Sequence, residues 1–394
     1  MASIKTTFTT ILILLILVAL GVVGVFGYHW WQVRAVQGEI AQARTLLDTG
    51  SPQEAEQILA TRMERSKPGQ PWVAQIISMR FEAMEAYGDD AAAQRLAALV
   101  LSEGQPWVRP PQEAWAQATL RLAQAELARN NIQGAQGYVE AVLAQPASQP
   151  VKDEAELAQA RIELAQGKAE EAKARLEALL ARVPEGSPVR RGVEHNLGLL
   201  NTRMLLSPQP FGEDELYVVA KGDTIAGIAK RFGVSPDLIM RVNGIENPRM
   251  LSIGRRLKIP KLDLELVVNK TDNTLTVYNG GKFFKRYDVR TGEYDYQTPP
   301  GEYRIQNKKE NPAWTDPKTN EHYEPNAPGN QLGSRWMGFS GSLGIHEAID
   351  AESIGTYSSN GCVGLVKQDV EELYDLVRVG TPVRIVGQKS TPSL

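Results

Sequence analysis

One cysteine, Cys362, stands in a chain of 394 residues, and histidine is almost as scarce, with four. A single thiol excludes an internal disulfide. His29, His195 and His322 lack nearby ligand partners, so no metal site is expected. An excess of positive charge is also missing. Lys and Arg number 43 against 46 Asp and Glu, a formal net charge of −3, which excludes the polycationic surface of a nucleic-acid binder. The glycines of GNQLGSRWMGFSGSLG (329–344) do not follow a strand–helix phosphate pattern, and they are expected to form a loop over a site. Ser340 in GFSGS misses the spacing of a serine-hydrolase elbow, which excludes that chemistry.

What the chain does have begins with a long apolar run. Ile11–Gly27 holds seventeen consecutive apolar or glycine residues, followed by Tyr28, Trp30 and Trp31. With Phe8 to Thr10 added, it is long enough to cross ~30 Å of hydrocarbon as a helix. The aromatic cluster suits the far interface, and Lys5 favours a cytoplasmic N-terminal tip. A cleaved signal peptide is the competing reading, but Tyr28-His29-Trp30-Trp31 occupies the place of a small-x-small cleavage site. Residues 1–35 are therefore expected to be a transmembrane signal anchor. Under either reading the remainder is exported to the periplasm or extracytoplasmic space. That remainder is globular in composition, 42% hydrophobic and 23% charged over the chain, and too long for one core.

Residues 36–205 are rich in Ala, Leu, Glu, Gln and Arg, strong helix formers. Gly50, Gly88, Asn130 and Gly167 each precede an alanine by five residues: Ala55, Ala93, Ala135 and Ala172. Prolines at Pro68, Pro106, Pro146 and Pro184 mark helix stops. This spacing resembles tetratricopeptide-type helical repeats, although it is longer and less regular than the usual repeat. The resemblance implies a surface for a protein partner; a plain helical spacer is the alternative. His195 falls in the last helical stretch with no accompanying motif and reads as an ordinary surface or core histidine.

After a Pro- and Gly-containing linker at 206–216 comes a unit at 217–260. Tyr217–Val219 reads as a strand, and Asp223 or Thr224 can cap a helix carrying Ile225, Ile228, Ala229 and Phe232 on one face. Pro236 opens a second helix and Leu257–Ile259 closes a βααβ unit. YVVAKGDTIAGIAKRFGVSPDLIMRVNGI and IGRRLKIP resemble the LysM domain. That resemblance implies binding to N-acetylglucosamine-containing strands, chiefly peptidoglycan. Its groove would fall at Gly222, Asp223, Thr224 and Ile225 and at Ile245–Leu251.

From Leu264 to 387 the pattern becomes β, with a short tail at 388–394. Leu264, Leu266 and Val268 alternate, then Leu275 and Val277, and Asn279-Gly280-Gly281 is a hairpin turn. Val370–Val377 reads as an amphipathic helix and Val383–Val386 as a last strand. The chemistry lies in GIHEAIDAESIGTYSSNGCVGL (344–365), where His346 precedes Cys362 by sixteen residues. A free thiol is only a few per cent thiolate at neutral pH, so a histidine within reach would activate it and then return a proton to a leaving amine. Gly361 lets backbone approach a carbonyl, and the N–H groups of Gly361 and Cys362 could hold an oxyanion.

The GIH, Ser353–Gly355 and S-x-G-C elements resemble the L,D-transpeptidase (YkuD-type) family. So do TPPGEYRI (298–305), Thr291-Gly292, Asn311-Pro312 to Trp314, and Leu332-Gly333 to Arg335. The family implies a β-sandwich-like domain that needs no cofactor. Cys362 would be the nucleophile, His346 the base, and Ser359, Asn360 and Gly361 would position the loop. The substrate would be peptidoglycan stem peptides, and an amine from another stem or a protein would take the acyl group. Water as acceptor would make a carboxypeptidase. Three positions depart from the family pattern: Glu347 replaces glycine, Asn360 replaces a second histidine, and Gly364 replaces Arg or Asn. Glu347 is expected to raise the His346 pKa. These departures leave an inert peptidoglycan-binding scaffold as the rival class. Trp314, Trp336 and Tyr357 are either core or substrate-contacting aromatics.

Overall fold

The computed structural model describes residues 30–66, 70, 72–101, 112–210, 214–293, 298–316 and 319–388. The apolar run expected as an anchor, Pro68, Pro106 and residues 389–394 of the tail lie outside these. Among the described residues no helix is long and apolar enough to cross a membrane. The chain divides into two compact units, ending and beginning at Arg175 and Leu176.

The first unit is helical: α1 (30–48), α2 (Pro52–Glu64), α3 (Val73–Ala86), α4 (Asp90–Leu101), α5 (Gln112–Ala128), α6 (Ile132–Leu143), α7 (Gln149–Ala165) and the start of α8 (Ala169–Arg182). Gly50, Gly88, Asn130 and Gly167 all take positive φ at helix ends, between 58° and 82°. Glycine does this without a Cβ clash, and asparagine is the next most tolerant residue. The alanine five residues on is buried in each case. A small side chain there lets the following helix sit close against its neighbour. Leu59, Ile76, Ile77, Phe81 and Leu96 form the core of the early helices.

The second unit takes the rest of α8 and then α9 (Pro188–Leu206), started by Ser187, whose hydroxyl accepts from the Arg190 N–H. It is followed by β1 (Glu215–Val218), α10 (Ile225–Phe232), α11 (Pro236–Val242) and β2 (Arg256–Ile259). β1 and β2 pair antiparallel, giving the expected βααβ module around Val219, Ile228, Ile239 and Leu257.

The remaining strands are β3 (Leu264–Asn269), β4 (Thr274–Asn279), β5 (Lys282–Asp288), β6 (Thr291–Gly292), β7 (Gly301–Arg304), β8 (Asn307–Glu310), β9 (Trp314–Thr315), β10 (His322–Tyr323), β11 (Arg335–Ser340), β12 (Leu343–Glu347), β13 (Tyr357–Ser359), β14 (Val363–Leu365) and β15 (Pro382–Val386). The helix α12 (Lys367–Leu376) lies before β15. One sheet runs β5-β4-β3-β15-β7 and a second runs β14-β12-β11-β8. Alternation along β3 buries Leu264, Leu266 and Val268. They share a core with Val277 of the first sheet, Met337, Phe339, Ile345 and Val363 of the second, and Leu373 of α12.

Two of the expected segments are packed into the second unit. The composition predicts one helical block to 205, but α9 belongs to the second unit. Asn201 donates to the Phe284 carbonyl at 2.9 Å, Arg286 meets Glu194 at 3.0 Å, and Leu205 enters the β-domain core. Residues 206–216 are expected to be a linker, yet Lys258 pins both ends of that segment. Only 1% exposed, its ammonium donates to the carbonyls of Met204, Leu205 and Ser207 and pairs with Asp214 at 3.0 Å. A lysine here satisfies carbonyls that a helix end leaves without partners. The βααβ module is likewise docked. Leu238 and Val242 of α11 join the β-domain core, and Arg241 meets Asp375 at 2.6 Å. Lys308 bridges Asp237 at 2.9 Å and the Val377 carbonyl at 2.8 Å.

Candidate active site

Strand register brings His346 and Cys362 together. β12 and β14 are parallel neighbours, with Ile345 opposite Val363 and His346 opposite Gly364. Cys362 stands just before β14, two residues back from Gly364, so it returns to the face that the His346 position shares. Ideal strand spacings put the two Cα atoms about 8 Å apart, a diagonal that side chains can span.

His346 is 4% exposed. Its Nδ1 lies 2.7 Å from the Glu347 carbonyl. A carbonyl only accepts, so Nδ1 carries the proton and Nε2 is left as the basic nitrogen. The Trp336 ring stacks on the imidazole, with centroids 6.1 Å apart and planes 28° apart. Burial, then the charge of Arg290, lowers the imidazole to about 4, against smaller opposing effects of the Glu347 and Gln331 carbonyls. Glu347 does raise it, but only through its backbone carbonyl and by less than burial lowers it, so the expected net upward shift is corrected. Its carboxylate turns away and accepts from the Ser334 N–H at 2.7 Å, while only its backbone carbonyl meets the ring.

Cys362 is half-buried, and its thiol donates to the Ser342 carbonyl at 3.7 Å. Burial pushes the thiol up, while the Gly344 backbone and Arg290 pull it down. The resting pair is thus a neutral thiol and a neutral imidazole. The loop before the thiol is tightly held. Ser359 donates its hydroxyl to the Cys362 carbonyl, and Gly361 sits at φ +95°, where an L side chain would be strained. Asn360 is exposed.

The depressed imidazole has a consequence for stability. His346 has its folded pKa below its ordinary value, so the unfolded chain binds the proton more readily between about pH 6.5 and 4. Its contribution is complete above that window and is lost as pH falls through it. Denaturation melts near pH 7 and pH 4.5 should show His346→Gln relieving roughly 2–3 kcal/mol of the wild-type acid destabilisation. Equal acid sensitivity of the two proteins would refute a buried neutral imidazole.

The other sequence signals find positions around this pair. Thr291 donates to the Asn273 side chain, which itself donates to the Gly355 carbonyl at 2.9 Å. Thr298 accepts from the Gly292 N–H at 3.0 Å. Trp314 stacks on Tyr323, Tyr357 donates to the Lys270 carbonyl, and Trp336 alone of the three singled-out aromatics stacks on His346. Reasoning from sequence misses Arg290. A basic residue before Thr291-Gly292 is the signal there, with Gly364 as its complement.

In the βααβ module the four expected glycan residues all have structural roles. Gly222 makes a positive-φ turn, Asp223 accepts from the Tyr217 hydroxyl and the Ala220 N–H, Thr224 caps α10, and Ile225 is buried. Apolar exposure lies on β1, at Leu216 and Val218, and in and just beyond the later loop, where Met250 is 72% and Ile253 68% exposed.

Residues 263–385 match the L,D-transpeptidase catalytic domain, and residues 217–260 match the LysM domain. The chain is 36% identical over 129 residues to the Bacillus subtilis L,D-transpeptidase YqjB, covering 31% of this chain and 71% of that protein. The chain belongs to the L,D-transpeptidase family. Its similarity to the L,D-transpeptidase YkuD of the same organism is 30% over 179 residues, 43% of this chain and 97% of that one. The solved catalytic domain of the Enterococcus faecium L,D-transpeptidase is 25% identical, with 32% of this chain and 97% of that chain covered and a TM-score of 0.27. Together, an L,D-transpeptidase domain and a LysM domain imply binding to peptidoglycan.

Proposed function

We propose that this L,D-transpeptidase family member acts through a cysteinyl acyl-enzyme on peptidoglycan stem peptides. His346 Nε2 takes the Cys362 proton as sulfur attacks the carbonyl that links the L-centre of a diamino acid to a D-amino acid. The tetrahedral intermediate collapses, the imidazolium returns its proton to the departing amine, and a thioester remains. An acceptor amine then attacks the thioester, losing its proton through His346, and the thiol is released. Backbone N–H groups at Gly361 and Cys362 would hold the oxyanion.

The observation that carries this reading is the register of β12 against β14, with Nδ1 of His346 held by a carbonyl. Stem-peptide analysis of peptidoglycan incubated with purified residues 176–394 tests it. Release of a terminal D-amino acid together with new cross-links supports transpeptidation. Release without an amine product means that water is the acceptor, and no release at all favours the inert scaffold.

The LysM module would hold the enzyme on its polymer, raising the local concentration of stem peptides. Exposed Met250 and Ile253 suit the apolar faces of acetylated sugars. Met250→Asp with Ile253→Asp should weaken sedimentation with insoluble peptidoglycan at least severalfold at unchanged melting temperature. Undiminished sedimentation would move the wall contact elsewhere. The Ile11–Gly27 run supports a single-pass anchor with the rest of the chain outside the cytoplasm. The helical first unit would then offer a surface for a protein partner between membrane and wall.

A further inference from the structure

Gly364 is a space occupied by another residue. Arg290 and Gly364 form an antiparallel backbone pair, with N···O distances of 2.9 Å and 3.0 Å. A Cβ added to Gly364 would stand 2.6 Å from Nε and 2.8 Å from Cγ of Arg290, and 3.1 Å from the Ala348 Cβ. The Arg290 side chain therefore lies across the glycine, two residues from the thiol and directly opposite His346 in the strand register. Its Nη1 donates to Ser353 at 3.3 Å, and Ser353 in turn donates to the Asp350 carbonyl. Its Nε is buried and without a hydrogen-bond partner. A guanidinium held this way keeps unspent positive charge toward the site.

Resting on the reading of Cys362 as nucleophile, we propose that Arg290 is a positioning residue whose cation, admitted by Gly364, stabilises the Cys362 thiolate as it forms. The charged and titratable neighbours agree with this role. Arg290 interacts electrostatically with Cys362, His346 and Asp350, while Glu347 directs its carboxylate to the Gly333–Ser334 turn. Arg290 favours the thiolate and disfavours imidazolium, so it eases removal of the thiol proton without trapping that proton on His346. A side chain at 364 would displace the arginine at 290 from where it lies. This makes the glycine a requirement of the arginine rather than a loss.

The test reads the thiol directly and needs no peptidoglycan. Alkylation of Cys362 by iodoacetamide is followed against pH in wild type, Arg290→Lys and Arg290→Gln, with a thermal melt of each. Arg290→Gln should move the alkylation midpoint upward by about one pH unit, or roughly tenfold in rate below it, while Arg290→Lys stays near wild type. A wild-type profile in folded Arg290→Gln overturns the proposal. Should Arg290→Gln not fold, the wild-type protein still decides. Its rate with anionic iodoacetate relative to neutral iodoacetamide should exceed that of glutathione, and a ratio at or below glutathione's overturns the proposal. A shifted profile in a protein that never acylates on stem peptides would retain the role of Arg290 and reject the transpeptidase reading.

Discussion

A chain beginning at residue 207 is expected to be recovered unfolded or aggregated, whereas one beginning at residue 176 folds and keeps activity. The family-matched segment starts at residue 263, yet α9 is built into the same unit. Removing it strips Leu205 from the core and Asn201 from the Phe284 carbonyl, and uncovers the β5 edge of the five-stranded sheet. Lys258 would also lose two of its three carbonyl partners, those of Met204 and Leu205. Each lost hydrogen bond to a charged group costs about 1.5–3 kcal/mol, and loss of one large core side chain about 2–5 kcal/mol. Their sum reaches the whole stability of a typical domain, about 5–15 kcal/mol. Circular dichroism melts of the two chains give the answer. A cooperative melt of the 207–394 chain within a few degrees of the 176–394 chain would show that α9 is only packed alongside.

His346→Ala is expected to slow acylation of Cys362 by about 10²–10⁴-fold at neutral pH, the usual worth of a positioned base. Both resting pKa directions require this. The thiol is pushed up by burial, so little thiolate exists without a base, and the imidazole near 4 is neutral and able to accept. In wild type the rate should therefore persist well below pH 6, failing only as His346 protonates. In His346→Ala it should climb with pH toward the thiol's own ionisation, narrowing the gap in alkali. Stopped-flow acylation across pH 4–10 separates the two. A wild-type rate that falls already near pH 6.5 would show an imidazole of ordinary basicity.

Local rules make much of the second unit legible in its amino-acid sequence. Alternation along Leu264–Val268 reports one buried face, and Asn279-Gly280-Gly281 a tight turn, because strand and hairpin rules involve only near neighbours. The βααβ module is readable from Thr224 and Pro236 at its two helix starts. Gly50 and its three counterparts are visible as turns for the same reason. What cannot be read depends on contacts far apart in the chain. Lys258 reads as one more surface lysine in a basic segment, and only the fold shows it closing the end of α9. Glu347 adjoins His346, but alternation along β12 sends its side chain to the opposite face, so adjacency misleads. Arg290 lies 72 residues from Cys362 and reaches it only through the pairing with Gly364. The expected glycan residues fall in a loop whose side chains are committed to caps and core, while exposed Met250 and Ile253 lie in and just beyond the later loop.

Intact-mass spectrometry of residues 176–394 after incubation with a carbapenem tests the central claim most directly. A strained β-lactam carbonyl intercepts an activated thiolate and leaves a stable thioester. The expected result is one covalent adduct, mapped to Cys362 and absent from Cys362→Ser, because a hydroxyl without a strongly tuned base is a far weaker nucleophile. Folded wild-type protein with a free thiol, no adduct and no release of D-amino acid from stem peptides would contradict it.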